Sequence, residues 1–276
     1  MYSIQHHKEI MNIGFFDSGL GGLYVLRHVI RELPEYHYVF LGDTVNVPYG
    51  TKSDEEIYTL TTESLRFLFD HDCALVVFAC NTASVTALRR IQDEFLPSFF
   101  PDRKVLGVII PTIEEVFVKK VDTVAIIGTN RTIHSDKYSR EISARNKEVH
   151  TIAIATPTLV PLIEQGLQSD AEKEAITIIQ EKILPEHPDT LILGCTHYGL
   201  LKEKLRETFP ELRILAQEEI IPRKLEEYLQ KHPEIEGILS RDREREFFLT
   251  KITSAYEKTI RDWVGDFPLQ PHSLHS

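Results

Sequence analysis

Along the chain, short runs of apolar, β-rich residues alternate with stretches of helical pattern. The apolar runs are "IGFF" (13–16), "YVFL" (38–41), "ALVVFA" (74–79), "VLGVI" (105–109), "VAIIG" (124–128), "TIAIA" (151–155), "TLILG" (190–194) and "RILA" (213–216). Strands covered on both faces read as continuous apolar runs, so the pattern predicts an α/β protein built on parallel sheets. Between the runs, helix signals are legible. "SDEE" at 53–56 is a capping box with Ser53 as N-cap and Glu56 three residues on. Asp170 opens "AEKEAITIIQEKIL", which stops at Pro185 and predicts a helix over 171–184; Pro34 closes a helix that starts after the glycines at 19–22. The chain after about 217 reads as mostly helical, including "RDREREFFLTKITSAYEKTIRDW", and the last nine residues carry no core pattern.

The two halves echo one another. "IGFFDSG" opens a strand whose partner run ends at Cys80, and "VAIIGTN" opens one whose partner run ends at Cys195. Ser18 and Cys80 are 62 positions apart, Thr129 and Cys195 66. Two similar α/β lobes are therefore expected, each a mostly parallel sheet flanked by helices, related by a pseudo-twofold with the active site between them. Residues 11–105 plus 218–276 would form the first lobe and residues 106–217 the second.

Composition narrows the partners. With 31 basic and 42 acidic residues among 276, the net charge is −11, which disfavours nucleic acid phosphates. The longest apolar runs fall far short of the ~20 residues that span a bilayer, and "MYSIQHHKEIMN" lacks the apolar core of a secretory signal. The expectation is a cytoplasmic protein with no membrane partner. Three cysteines at wide spacing, Cys73, Cys80 and Cys195, fit neither a disulfide framework nor a zinc site, and no metal is expected. Cys73 precedes its strand, at the end of the sheet away from ligands, and reads as structural.

Cys80 and Cys195 share a context: apolar strand, cysteine, polar residues with threonine, amphipathic helix. In an open parallel sheet this places each sulfur at the carboxyl edge, beside a helix start, where ligands bind. A free helix N-terminus favours the thiolate. Two thiols converging from two lobes can work on one carbon from opposite sides, one taking a proton and the other returning one. Such reach puts the sulfurs roughly 6–8 Å apart.

"FDSGLGGL" (16–23), "LGDTVNVPYGTKS" (41–53), "ACNTAS" (79–84), "GVIIPT" (107–112), "VPLIEQG" (160–166) and "LGCTHYGLL" (193–201) together resemble the bacterial glutamate racemases, of the cofactor-independent aspartate/glutamate racemase superfamily, collinearly from about residue 12 to 205. The resemblance implies interconversion of L- and D-glutamate without pyridoxal phosphate or any other cofactor, supplying D-glutamate for peptidoglycan, and leaves a homodimer open. It implies that Cys80 and Cys195 are the acid/base pair, with Asp17 assisting Cys80, His197 assisting Cys195, and Asp43 and Glu164 as auxiliary acids. Substrate contacts would come from Asp17, Ser18, Pro48, Tyr49, Gly50, Asn81, Thr82, Thr196 and His197. No Lys or Arg occurs inside the cysteine motifs, so carboxylates would be held by neutral donors and helix ends.

Three places depart from the family pattern. Thr156 stands where a cysteine is usual, Gly199 where a proline follows "CTHY", and "LAQEEIIPRKL" lacks the small polar motif expected after the last strand. The rival readings are a racemase of aspartate or another acidic amino acid, a binding protein for amino acids without turnover, and a dinucleotide-binding protein. The last is weakened by Tyr24, which stands where the third glycine of a G-x-G-x-x-G turn belongs. A cysteine hydrolase would leave one thiol idle.

Overall fold

The computed structural model describes residues 10–264 and 269–271. Among the described residues, ten strands form two all-parallel sheets. The first contains β1 (Asn12–Asp17), β2 (Tyr38–Gly42), β3 (Cys73–Phe78), β4 (Lys104–Gly107), β9 (Arg245–Leu249) and β10 (Leu269–Pro271) in the order β10-β9-β2-β1-β3-β4. The second contains β5 (Thr123–Gly128), β6 (His150–Ala155), β7 (Thr190–Gly194) and β8 (Arg213–Leu215) in the order β6-β5-β7-β8. The run β2-β1-β3-β4 therefore repeats as β6-β5-β7-β8, and the molecule has two lobes of the same strand order.

The predicted runs became strands because both faces are covered. Every residue of β2, β3 and β7 is buried, and the first sheet is packed by one apolar cluster on each side. Helix α1 (Gly21–Glu32) lies on one face with Leu23, Val25, Leu26 and Val29 inward. Helix α2 (Asp54–Asp70) covers the other, and its start is the predicted capping box: Glu56 N donates to Ser53 Oγ at 3.3 Å, and Ser53 N to Glu56 Oε2 at 2.8 Å.

The end of the chain differs from the expectation of helix. Arg245–Leu249 is a strand paired with β2, Phe40 opposite Phe247, because Phe247, Phe248 and Leu249 are all buried and a helix would have turned one of them to solvent. Of the tail read as lacking core pattern, Leu269–Pro271 adds a further parallel strand on β9; Pro268 and residues 272–276 lie outside the described residues. The helix expected over 171–184 begins earlier, at Gln168, stays α-helical to Ile178, and widens into a π turn over Ile179–Ile183 before Pro185. The strand expected over 105–109 ends at Gly107, and a helix runs over Ile109–Val116.

Both sheets have a topological switch point, between β1 and β3 in the first and between β5 and β7 in the second. Chain connections leave in opposite directions there and open a crevice at the carboxyl ends of the strands. Asp17 ends β1 and Cys80 follows β3; Thr129 follows β5 and Cys195 follows β7. No helix among the described residues is long and apolar enough to cross a membrane.

Candidate active site

The two crevices share one cleft of about 570 Å³, within the range of small-molecule sites. Both Cys80 and Cys195 line it, with Asp17, Ser18, Asn81 and Thr82 on one side and Thr196, His197 and Glu164 on the other; Pro48, Tyr49 and Gly50 form part of its wall. No Lys or Arg among the described residues lines it.

Cys80 is the N-cap of the short helix α3 (Asn81–Thr86), and its sulfur accepts from the amide of Ala83 at 3.3 Å. The Ser18 hydroxyl is 3.1 Å from the same sulfur. Burial is the main reason the Cys80 thiol is pushed up to about 12, and the negative charge of Asp17 adds to it; the bonds from Ser18 and Ala83 oppose the rise without cancelling it. Cys80 is therefore a neutral thiol at physiological pH. Asp17 is itself buried, accepts from Gly19 N at 2.8 Å and from Thr196 Oγ1 at 3.3 Å, and burial raises its carboxyl above the ordinary range despite the attraction of His197.

Cys195 has a different environment. It precedes the 3-10 turn Thr196–Leu201, and its sulfur lies 3.7 Å from His197 Nδ1, while His197 Nε2 is 3.1 Å from Glu164 Oε1. Burial would lower the imidazole pKa, but the bonds to Cys195 and Glu164 outweigh it and hold the ring well above its ordinary value. One ring nitrogen thus faces a sulfur and the other a carboxylate. Helix α1 approaches this turn closely because residue 21 is glycine: a Cβ there would lie 2.3 Å from Thr196 Oγ1 and 2.7 Å from His197 Nδ1. Behind the imidazole, Trp263 packs edge-on, ring centroids 5.7 Å apart at 85°.

Asp43 does not line the cleft. It is fully buried behind it, where its carboxylate accepts from Tyr49 Oη at 2.7 Å, from Asn46 Nδ2 at 3.0 Å and from Thr250 Oγ1 at 3.0 Å. These partners fill its acceptor sites, so its place is to hold the Pro48-Tyr49-Gly50 turn rather than to face a ligand. Cys73 starts β3 at the opposite end of the strand from Cys80, buried against Gly14.

Several cleft residues were not among the expected site residues. Thr129 caps the helix Asn130–His134 and reaches across to Thr82, hydroxyl to hydroxyl, at 3.0 Å. Thr156, in place of the usual cysteine, shares a 2.7 Å hydrogen bond with Tyr198 Oη, beside His197. Tyr256 enters from the helix Ser254–Val264. A Thr directly after an apolar strand run was the available signal for Thr129 and Thr156; Tyr256 had none. At the rim, Arg131 binds Asp54 at 2.6 Å and the carbonyl of Lys52, tying the lobes together.

A two-lobed α/β protein with a thiol from each lobe in one interlobe cleft is the class that this fold and site define. The profile of the Asp/Glu/Hydantoin racemase family matches residues 19–218, and the chain belongs to that family. It is 36% identical to the glutamate racemase of Dinoroseobacter shibae over 83% of this chain and 87% of that one. With the glutamate racemase of Phenylobacterium zucineum it shares 34% identity over 95% of this chain and all of the relative. Among solved structures it is similar to a glutamate racemase isoform of Bacillus anthracis, with a TM-score of 0.83, 30% identity and coverage of 96% and 98%. The glutamate racemase of Francisella tularensis in complex with D-glutamate matches with a TM-score of 0.82, 26% identity and the same coverage.

Proposed function

We propose that the protein interconverts L- and D-glutamate, with Cys80 and Cys195 as the two acid/base groups. The observation that carries this reading is the pairing of two thiols in one cleft with opposite surroundings. Cys80 has a carboxylate beside it and a proton to give; Cys195 has an imidazole backed by a carboxylate. In one direction the Cys195 sulfur, paired with the charged imidazole of His197, takes the α-proton; the Cα–H bond breaks and its electron pair moves into the α-carboxylate. Cys80 then gives its proton to the opposite face of the planar carbon and becomes a thiolate. The return direction exchanges the roles, with Asp17 as the base beside Cys80, so no co-reactant is consumed. Asn81, Thr82, Thr196 and the backbone amides at the helix starts are the donors available to the two carboxylates. The relatives named as glutamate racemases support glutamate over aspartate. The setting that follows from the family is the cytoplasm, with D-glutamate passing to peptidoglycan synthesis.

Each glutamate isomer is incubated with the protein in heavy water, following optical rotation and α-proton exchange, with aspartate as the comparison substrate. The wild type exchanges and inverts glutamate; no exchange with either isomer overturns the reading, and a preference for aspartate overturns the substrate. Cys80→Ser and Cys195→Ser each lose net inversion by about 10²–10⁴-fold, the usual worth of one acid/base group. Residual exchange confined to one isomer assigns the remaining thiol to its face.

A further inference from the structure

Gln217 lies in the segment where the sequence departs from the family pattern, and it begins the helix Gln217–Lys231 after β8. Its side chain is buried and faces the carboxamide of Asn81. Asn81 Nδ2 donates to Gln217 Oε1 at 2.8 Å, and Gln217 Nε2 donates to Asn81 Oδ1 at 2.8 Å, a reciprocal amide pair. The Tyr138 hydroxyl, from the helix Lys137–Arg145, donates to the same Asn81 Oδ1 at 2.9 Å and accepts from Gln217 Nε2 at 3.3 Å.

A carboxamide offers two acceptor lone pairs and two N–H donors. Both lone pairs of Asn81 Oδ1 and one N–H of Nδ2 are taken by Gln217 and Tyr138. One N–H remains, on a residue that lines the cleft directly after Cys80. The cleft already presents the carboxylates of Asp17 and Glu164 and, among the described residues, no Lys or Arg, so each neutral donor matters to a substrate with two carboxylates. Turning the Asn81 amide over would set like groups against each other unless Gln217 turned with it and Tyr138 changed from donor to acceptor.

We propose that Gln217 and Tyr138 are positioning residues that lock the Asn81 carboxamide as a pure hydrogen-bond donor to the cleft, so that Asn81 selects a substrate carboxylate oxygen over the ammonium. The proposal rests on the substrate reading above, and its test separates the two. Gln217→Glu keeps the shape of the side chain, but its ionised form only accepts and sets an oxygen against Asn81 Oδ1. Its kcat/KM for D-glutamate at pH 8 falls at least tenfold, mostly in KM, and recovers as pH is lowered and the new carboxyl takes up the proton that restores a donor. Gln217→Leu shows the loss without the recovery, and the wild type has no such acid recovery. Unchanged KM in both variants, or a loss confined to kcat, overturns the lock.

A readout independent of turnover is the ¹⁵N spectrum of the wild type, with the Asn81 NH₂ pair assigned by its disappearance in Asn81→Asp. The lock predicts one amide proton protected from exchange with water and the other shifted by D-glutamate. Rapid exchange of both in an active enzyme overturns the lock. A protected Asn81 pair in a protein that turns over neither glutamate isomer supports the lock and overturns the substrate reading.

Discussion

His197 is the most heavily constrained ionisable side chain of the site, between the Cys195 sulfur at 3.7 Å and Glu164 at 3.1 Å. Its folded pKa is raised above the ordinary imidazole value. The stability it contributes is therefore fully present below about pH 6.5, its ordinary value, and is lost as pH rises through the raised one. Glu164→Gln removes the anionic partner and should cost about 1.5–3 kcal/mol near pH 6, the range for a hydrogen bond between charged groups. Thermal melts across pH should show the gap between variant and wild type closing on the alkaline side; a gap independent of pH would deny the charged pair. Cys80 and Cys195 were legible because the same strand-cysteine-helix pattern occurs twice. Asp43 was harder to place: an acid after a strand reads alike whether it faces a ligand or holds a tyrosine, and only the geometry of Tyr49, Asn46 and Thr250 separates the two.

At the scale of elements, the turn Thr196–Leu201 is held from behind by an unusual neighbour. Lys202 is buried, 2.8 Å from Glu219 and 3.0 Å from Glu218 Oε1, the latter contact without hydrogen-bond alignment. The Glu218 carboxylate fits because residue 199 is glycine: a Cβ there would lie 2.6 Å from Glu218 Oε2. The departure at Gly199 and the acidic start of the helix Gln217–Lys231 are thus two sides of one contact. Gly199→Ala should cost about 1–3 kcal/mol by overpacking, read as a lower urea midpoint, and Glu218→Ala in the same chain should return part of that loss. Strict additivity of the two substitutions would mean that they do not meet. The contact joins positions far apart in sequence, so no local pattern could reveal it. Strand β9 escaped notice for a related reason: "REREFFLTK" has only three apolar residues between charges, and its fate is set by the free edge of β2.

For the whole molecule, the repeated strand order brings equivalent strand ends to face one another, and that repeat was readable from the matching intervals before each cysteine. What the intervals do not reveal is how the chain after β8 returns. The helix Gln217–Lys231 packs Ile221, Leu225 and Leu229 into the core of the first lobe, β9 extends that lobe's sheet, and the helix Ser254–Val264 brings Tyr256 to the cleft and Trp263 to the back of His197. Arg27 Nη1 fastens this last helix by donating to the Trp263 carbonyl at 2.7 Å. Trp263 is the only tryptophan in the sequence, so the indole emission of the native protein comes from a single ring against the site's imidazole. A charged imidazole quenches indole fluorescence more strongly than a neutral one. Emission should therefore stay low through neutral pH and brighten as pH rises through the raised His197 value, a transition absent from His197→Asn. The molecule carries an optical probe of its own proton inventory, readable without substrate or label.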